Sequence, residues 1–189
     1  MISNDPSFEL IATGIQVAEL GSEIEANNHL WGEQSARVMP GSPHEGSTDI
    51  WVRFRDLDQF IDEHGSDMSA FCDEHESVWL APALQLPAAK RISDLVLKLV
   101  GGSSLGGVLL TKLEPGGRVL PHIDSGWHAD VHEKYYVAVK VRPGARFCWE
   151  DGQIAASDGD VWRFRNDRLH WVENDSDEER IAMIVCVKR

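Results

Sequence analysis

Two histidines and one aspartate stand where a metal ion could be bound. The segment LEPGGRVLPHID places His122 two residues before Asp124. Side chains of an extended strand alternate between its faces, so these two would point the same way and could hold one ion from one side. His170, in the later segment NDRLHW, would supply a third ligand. Two histidines and a carboxylate on one face of an octahedral ion leave the opposite positions open, an arrangement used by non-haem Fe(II) oxygenases.

The spacing His-x-Asp is weak evidence for a metal site by itself, so the surrounding sequence decides which match is assigned as ligands. About one match is expected by chance in a chain of this composition, and the sequence has two, at His122 and at His128. The first follows a β-rich run and a Pro-Gly-Gly turn, whereas the second lies in SGWHADVHEK, which has no clear strand pattern. The ligand role is therefore assigned to His122 and Asp124; the alternative is an ordinary histidine with no metal.

Length, charge and cysteines limit the class of protein. At 189 residues the chain can form one domain with a substantial core. Its formal charge of -13 argues against nucleic acid as a partner, because phosphate binding relies on clustered lysine and arginine. Cys72, Cys148 and Cys186 are widely spaced, so neither a disulfide framework nor a zinc finger is indicated. No signal peptide and no ~20-residue apolar span is recognisable. We expect a reduced, cytoplasmic protein with no membrane association.

Short β-rich runs separated by turns fill the chain after Gly102. They are Gly107–Lys112, Arg118–Ile123, Tyr135–Arg142, Arg146–Trp149, Gln153–Ala156, Val161–Phe164, His170–Asn174 and Arg180–Val187. Eight short strands with turn signals are what a double-sheet jelly roll requires. Both candidate histidines would lie on these strands.

The first part of the chain is more helical. Asp49–Phe54 has the pattern of a strand, and Ala88–Val100 that of an amphipathic helix stopped by two glycines. We therefore predict an α+β fold, mainly β: a cupin-like double-stranded β-helix (jelly roll) with N-terminal helices packed on one sheet. One domain would span 1–189, with a helical and loop part carrying one or two strands at 1–102 and the β-helix core at 103–189.

Several other side chains admit two interpretations. Arg37, Arg53 and Arg55 are either a solvated face or partners for a substrate carboxylate, since a guanidinium pairs with a carboxylate through two hydrogen bonds. His44, in a loop rich in glycine, proline and serine, could also face the site. Four tryptophans are either pocket walls or simply core material. They are Trp127, Trp149, Trp162 and Trp171.

Arg180 follows His170 after a turn at Asp175 to Glu178. We predict that this turn folds the two strands into a hairpin and brings Arg180 near His170. An arginine there could form a charge-assisted pair with the far carboxylate of a dicarboxylic co-substrate. The alternative is a surface ion pair with a neighbouring glutamate.

These segments together resemble a known family. HID, CWEDGQ, GDVWRFRNDRLHWVEN and DEERIAMIVCVK are similar to the C-terminal core of the aspartyl/asparaginyl β-hydroxylase branch of the Fe(II)/2-oxoglutarate-dependent dioxygenases. The resemblance covers the C-terminal part well and the first hundred residues poorly. It implies that His122 and His170 bind iron and that Arg180, with Thr111 on the strand before His122, binds the C5 carboxylate of 2-oxoglutarate.

The chain departs from the animal β-hydroxylases at two places. Those enzymes lack an acidic third ligand, whereas Asp124 completes here the triad of the wider superfamily. Their Arg-x-His pair on the next strand is not matched by KYYVAV, so Lys134, Tyr135 or Tyr136 is expected to contact the C1 end of 2-oxoglutarate; we assign Tyr136 to the cofactor site.

The activity implied is hydroxylation of an amino acid, a peptide side chain or a small polar molecule, with decarboxylation of 2-oxoglutarate to succinate at Fe(II). One alternative is a cupin-like isomerase or hydrolase that uses the same ligands without 2-oxoglutarate; retained activity after Arg180→Ala would favour it. Another is a metal-free binding module, which a metal site lost in His122→Ala would exclude. The sequence identifies neither the substrate nor the oligomeric state.

Overall fold

The strands form two antiparallel sheets packed face to face. The computed structural model describes residues 6–34, 36–65 and 74–189. Within these ranges the larger sheet has the order β1-β9-β6-β11-β4-β2-β3 and the smaller one β5-β10-β7-β8. The strands are β1 (Phe8–Ala12), β2 (Thr48–Phe54), β3 (Val78–Trp79), β4 (Ser104–Leu113), β5 (Arg118–His122), β6 (Glu133–Lys140), β7 (Ala145–Trp149), β8 (Gly152–Ile154), β9 (Val161–Phe164), β10 (His170–Asn174) and β11 (Arg180–Lys188).

Five α-helices lie in the same ranges. They are α1 (Ala18–Ala26), α2 (Leu57–His64), α3 (Pro82–Gln85), α4 (Pro87–Val100) and α5 (Trp127–Val131). The longest, α4, begins with a proline in its first turn and ends at Gly101, whose φ of 66° is a left-handed conformation that favours glycine. None of the helices in the described ranges has the length and apolar character that crossing a bilayer requires.

Alternation along the central strand β11 divides the core in two. Ile181, Met183 and Val185 face the helices and belong to one buried cluster with Leu20 of α1 and Val96 of α4. Side chains of a strand alternate, so the other face of β11, which begins with Arg180, is turned toward the smaller sheet. Arg180 lines a cavity on that side. Burying each large aliphatic side chain contributes roughly 1.5–3 kcal/mol, so this helical layer holds the larger sheet in place.

The strand pattern predicted from the sequence is confirmed. All eight runs after Gly102 form strands, with boundaries that differ by a few residues. The N-terminal part supplies β1, β2 and β3 to the larger sheet, where β1 pairs with β9 and β2 with β4. Strands of both parts therefore share one sheet, and the division at residue 102 stays a prediction. Cys72 lies outside the described residues.

The predicted hairpin of β10 and β11 is wrong. β10 pairs with β5 and β7 in the smaller sheet, whereas β11 pairs with β4 and β6 in the larger one. The turn between them carries the chain from one sheet to the other. His170 and Arg180 therefore line the same cavity from opposite sheets.

Candidate metal centre

The two candidate histidines are direct cross-strand neighbours. In the antiparallel pairing of β10 with β5, His170 stands opposite His122. Their ring centroids are 4.3 Å apart. Residues that face each other across such a pair have side chains close enough to interact. Strand register thus brings together two residues that are 48 positions apart in the chain, as their numbers show.

The same backbone contact orients both imidazole rings. Nδ1 of His122 donates to the carbonyl of Leu120 at 2.8 Å, and Nδ1 of His170 donates to the carbonyl of Arg168 at 2.8 Å. A carbonyl can only accept, so each Nδ1 carries a proton, and Nε2 is the nitrogen whose lone pair is available to a metal in the neutral form of the ring. Burial lowers the pKa of His170 to about 4, which keeps that ring neutral near pH 7. Neutral imidazole is the form that binds a metal.

Asp124 reaches the histidines from the loop after β5. Its backbone N–H donates to the carbonyl of Asn166 at 2.9 Å. One carboxylate oxygen is 3.5 Å from Nε2 of His122, and the other is 3.9 Å from Nε2 of His170. The loop, rather than continuation of the strand, therefore gives Asp124 its place.

Lys134 keeps the Asp124 carboxylate ionised. Burial alone would raise the pKa of Asp124, but interactions with its neighbours His122 and Lys134 hold it well below its usual range. The ammonium of Lys134 donates to the carboxylate at 2.6 Å. Two imidazoles and one carboxylate directed at one another form a donor set that suits Fe(II).

These side chains line a cavity of about 250 Å³ between the sheets. Arg180 and Thr111 form another part of its wall, on the neighbouring strands β11 and β4. Arg180 is only 3% exposed, and no carboxylate of the described chain lies within ion-pair distance of it. The Thr111 hydroxyl is buried and has no hydrogen-bond partner among the described residues. A buried cation without a carboxylate partner and a buried hydroxyl without a hydrogen bond are together suited to a ligand carboxylate.

The candidates for the C1 end of 2-oxoglutarate occupy three different places. Lys134 lines the cavity beside Asp124. Tyr135 faces the helical layer instead and belongs to that buried cluster. Tyr136 is buried behind Arg180, whose guanidinium lies 5.0 Å from the centroid of its ring. Burial raises the pKa of Tyr136, and the charge and hydrogen bond of Arg180 oppose that rise. Tyr136 therefore supports Arg180, and its direct contact with 2-oxoglutarate stays a prediction.

Of the first-half candidates, Arg37 and His44 reach the cavity. A guanidinium nitrogen of Arg37 donates at 2.8 Å to Asp49, which is fully buried. Burial and the charge of Arg37 lower the pKa of His44 to about 2. Arg53 and Arg55 turn elsewhere and lie over the rings of Trp79 and Phe60, respectively.

None of the four tryptophans considered as pocket walls lines the cavity. The aromatic residues that line the cavity are Trp51, Phe54, Phe147 and Phe164, together with histidines. Trp149 is buried behind them, with its ring centroid 6.1 Å from that of His170. Tryptophan content alone could not tell these places apart, because core and wall positions both favour large apolar side chains.

Comparison with known proteins gives one family and several similar folds. The model of the aspartyl/asparaginyl beta-hydroxylase family matches residues 82–189. A prolyl hydroxylase from Trichoplax adhaerens, solved with a hypoxia inducible factor oxygen degradation domain peptide fragment, is 11% identical, with a TM-score of 0.62 over 98% of this chain and 84% of that one. A viral collagen prolyl hydroxylase from Paramecium bursaria Chlorella virus-1, solved with 2-oxoglutarate, is 12% identical, with a TM-score of 0.56 over 100% of this chain and 98% of that one. None of the curated protein sequences matches the chain.

The solved structures, at these low identities, show the fold. They confirm the predicted double-stranded β-helix with added helices. The segment matched by the family model includes His122, Asp124, His170 and Arg180 and covers more than half of the chain. The chain therefore belongs to the aspartyl/asparaginyl beta-hydroxylase family, as the sequence predicted.

Proposed function

We propose that the chain is an Fe(II)- and 2-oxoglutarate-dependent dioxygenase in which His122, Asp124 and His170 hold the iron. Arg180 and Thr111 bind the C5 carboxylate of 2-oxoglutarate. One observation carries the proposal: a set of metal donors and a buried arginine with no carboxylate partner among the described residues line the same cavity from opposite sheets. The alternative of a metal-free binding module does not account for two imidazoles held with Nε2 toward a half-buried carboxylate.

When bound, the metal and co-substrate would supply the oxidising chemistry, in which dioxygen gives one oxygen atom to 2-oxoglutarate as it is decarboxylated to succinate and CO2, and the other to a C–H bond of the substrate. The chain positions the participants. The carbonyls of Leu120 and Arg168 fix which nitrogen of each histidine faces the metal. Lys134 holds Asp124 ionised and in place. Val119, Phe147 and Val172 line the cavity and exclude water from it.

The substrate we propose is an amino acid side chain, free or within a peptide. Family membership supports this class, and the peptide bound to the Trichoplax adhaerens enzyme is a precedent in a similar fold. The cytoplasm remains our proposal for its location, and the free thiols of Cys148 and Cys186 are consistent with a reducing compartment.

The test is consumption of 2-oxoglutarate by the purified protein. With Fe(II), dioxygen and a panel of amino acids and peptides, we expect wild type to form succinate and His170→Ala to form none. His29→Ala, an exposed histidine outside the cavity, should match wild type. Iron bound by wild type without any succinate formation would favour the cupin-like isomerase or hydrolase. No iron bound at all would refute the assignment of the three ligands.

A further inference from the structure

A third histidine lies beside the proposed iron ligands. The ring of His44 meets that of His122 edge to face, with centroids 4.4 Å apart. One ring nitrogen of His44, one of His122 and one oxygen of Asp124 all lie within 4.8 Å of one another. A single ion could therefore be reached from His44 as well as from His122 and Asp124, two of the three ligands proposed above.

The loop that carries His44 is fixed against the strand of His122. The backbone N–H of Leu120, two residues before His122, donates to the carbonyl of Pro43 at 2.8 Å. The loop also needs glycine at Gly46, because a Cβ there would lie 2.5 Å from the carbonyl oxygen of Arg118. Residues on both sides of His44 are thus held on β5.

The backbone of His44 itself is fully engaged. Its N–H donates to the Ser42 hydroxyl at 3.2 Å, and its carbonyl accepts from the N–H and the hydroxyl of Ser47, each at 2.9 Å. Because the loop fixes the backbone on both sides of the residue, the ring is presented to the cavity in a defined position.

The ring has a polar atom that the chain leaves without a partner. Nδ1 of His44 is buried and makes no hydrogen bond to any described residue. An unpaired buried polar atom costs about 1–3 kcal/mol, so its retention beside a metal site calls for a ligand. The neutral ring offers a lone pair, and a divalent cation is the partner that neighbouring carboxylate and imidazole groups would bring within reach.

We infer that His44 is a fourth protein ligand of the metal in the resting enzyme and that it leaves the metal when 2-oxoglutarate binds. The inference rests on the proposed function. An octahedral ion held by three side chains has three positions left, and a bidentate co-substrate together with dioxygen needs all three. A fourth side chain therefore occupies a position that the reaction requires, so His44 keeps that position closed until the co-substrate displaces it.

The test counts coordinated imidazoles by ¹⁵N NMR of the histidine rings, with Zn(II) as a diamagnetic probe. We expect three coordinated rings in wild type with Zn(II) alone, and two after 2-oxoglutarate is added. His44→Gln should show two throughout. It should bind Zn(II) about tenfold more weakly, yet bind 2-oxoglutarate more tightly than wild type, because no side chain has to be displaced. A merely structural role for His44 would not produce these opposite changes.

His128→Gln is the matched control. His128 lines the same cavity, but its Nε2 accepts from the backbone N–H of Gly107 at 3.0 Å, so its replacement should leave the number of coordinated rings unchanged. Two coordinated rings in wild type with Zn(II) alone would overturn the inference and leave the proposed function intact. Three rings that persist with 2-oxoglutarate bound would overturn the displacement. Loss of coordination at His122 and His170 themselves would refute the proposed function.

Discussion

Arg180→Met should weaken binding of 2-oxoglutarate without weakening the empty protein. Arg180 is 3% exposed and lies over the ring of Tyr136, but it has no carboxylate partner in the described ranges, so the protein buries a charge that a ligand carboxylate can pair. Methionine has a similar reach and no charge. Removing an uncompensated buried charge is neutral or stabilising, whereas removing one partner of a buried pair costs about 3–5 kcal/mol.

The size of the effect follows from the lost hydrogen bonds. Two hydrogen bonds between a guanidinium and a carboxylate, each with a net value of about 1.5–3 kcal/mol, place the loss at about 3 kcal/mol or more. Since 1.4 kcal/mol is about tenfold in affinity, the Kd for 2-oxoglutarate should rise at least about 100-fold. At a concentration about 100 times the wild-type Kd, 2-oxoglutarate should stabilise wild type by about 2.7 kcal/mol and the variant by only about 0.4 kcal/mol.

Calorimetric titration of 2-oxoglutarate into the Zn(II)-loaded protein gives Kd, and urea unfolding followed by tryptophan fluorescence gives the stabilisation. Arg91→Met is the matched control, because Arg91 is half exposed and pairs with Glu19 on the surface at 2.6 Å; such pairs contribute little. Arg180→Lys keeps the charge but loses the planar fork, so its Kd should be intermediate. Wild-type affinity in Arg180→Met would refute the role of Arg180 as the carboxylate clamp. A marked loss of stability without 2-oxoglutarate would show that its buried charge is compensated within the protein.

Three further variants test individual contacts. Thr111→Val removes an unpaired buried hydroxyl and should raise the Kd for 2-oxoglutarate about tenfold with no loss of stability in urea; unchanged affinity would argue against its contact with the co-substrate. Asn174→Ala should lower the free energy of unfolding by about 3 kcal/mol. The fully buried Asn174 amide donates to three backbone carbonyls, which would lose this partner. A loss below about 1 kcal/mol in urea unfolding would contradict this. Burial raises the pKa of Cys186 from 9.0 to about 11, so the folded chain keeps a proton that the unfolded chain releases, and stability falls as pH rises from 9 to 11. Between pH 8 and pH 10, wild type should lose about 1 kcal/mol more than Cys186→Ala; equal losses in the two proteins would exclude this origin.

Much of the fold could be read from local pattern. Strand and helix periodicity depends on which neighbouring side chains are apolar, so each strand after Gly102 was predictable. The same pattern did not show where β10 would pair. A turn followed by a strand predicts a hairpin from local signals, but the inward face of β11 packs toward the smaller sheet while its edges pair with β4 and β6. Pairing of this kind is decided by burial over the whole sandwich, which no short segment encodes.

The candidate site, like the fold, could be predicted from the sequence only in part. By itself the sequence determined the family and predicted the residues of the candidate centre, because His122, Asp124, His170 and Arg180 lie in motifs with characteristic spacing. Only the tertiary structure decided how close these side chains lie to one another and which further residue lies beside them. Strand register sets His122 opposite His170, and a single backbone hydrogen bond from β5 brings the loop of His44 over the same centre. These contacts join residues far apart in the chain, and their geometry depends on how the sheets and loops pack, so no local pattern could have placed them.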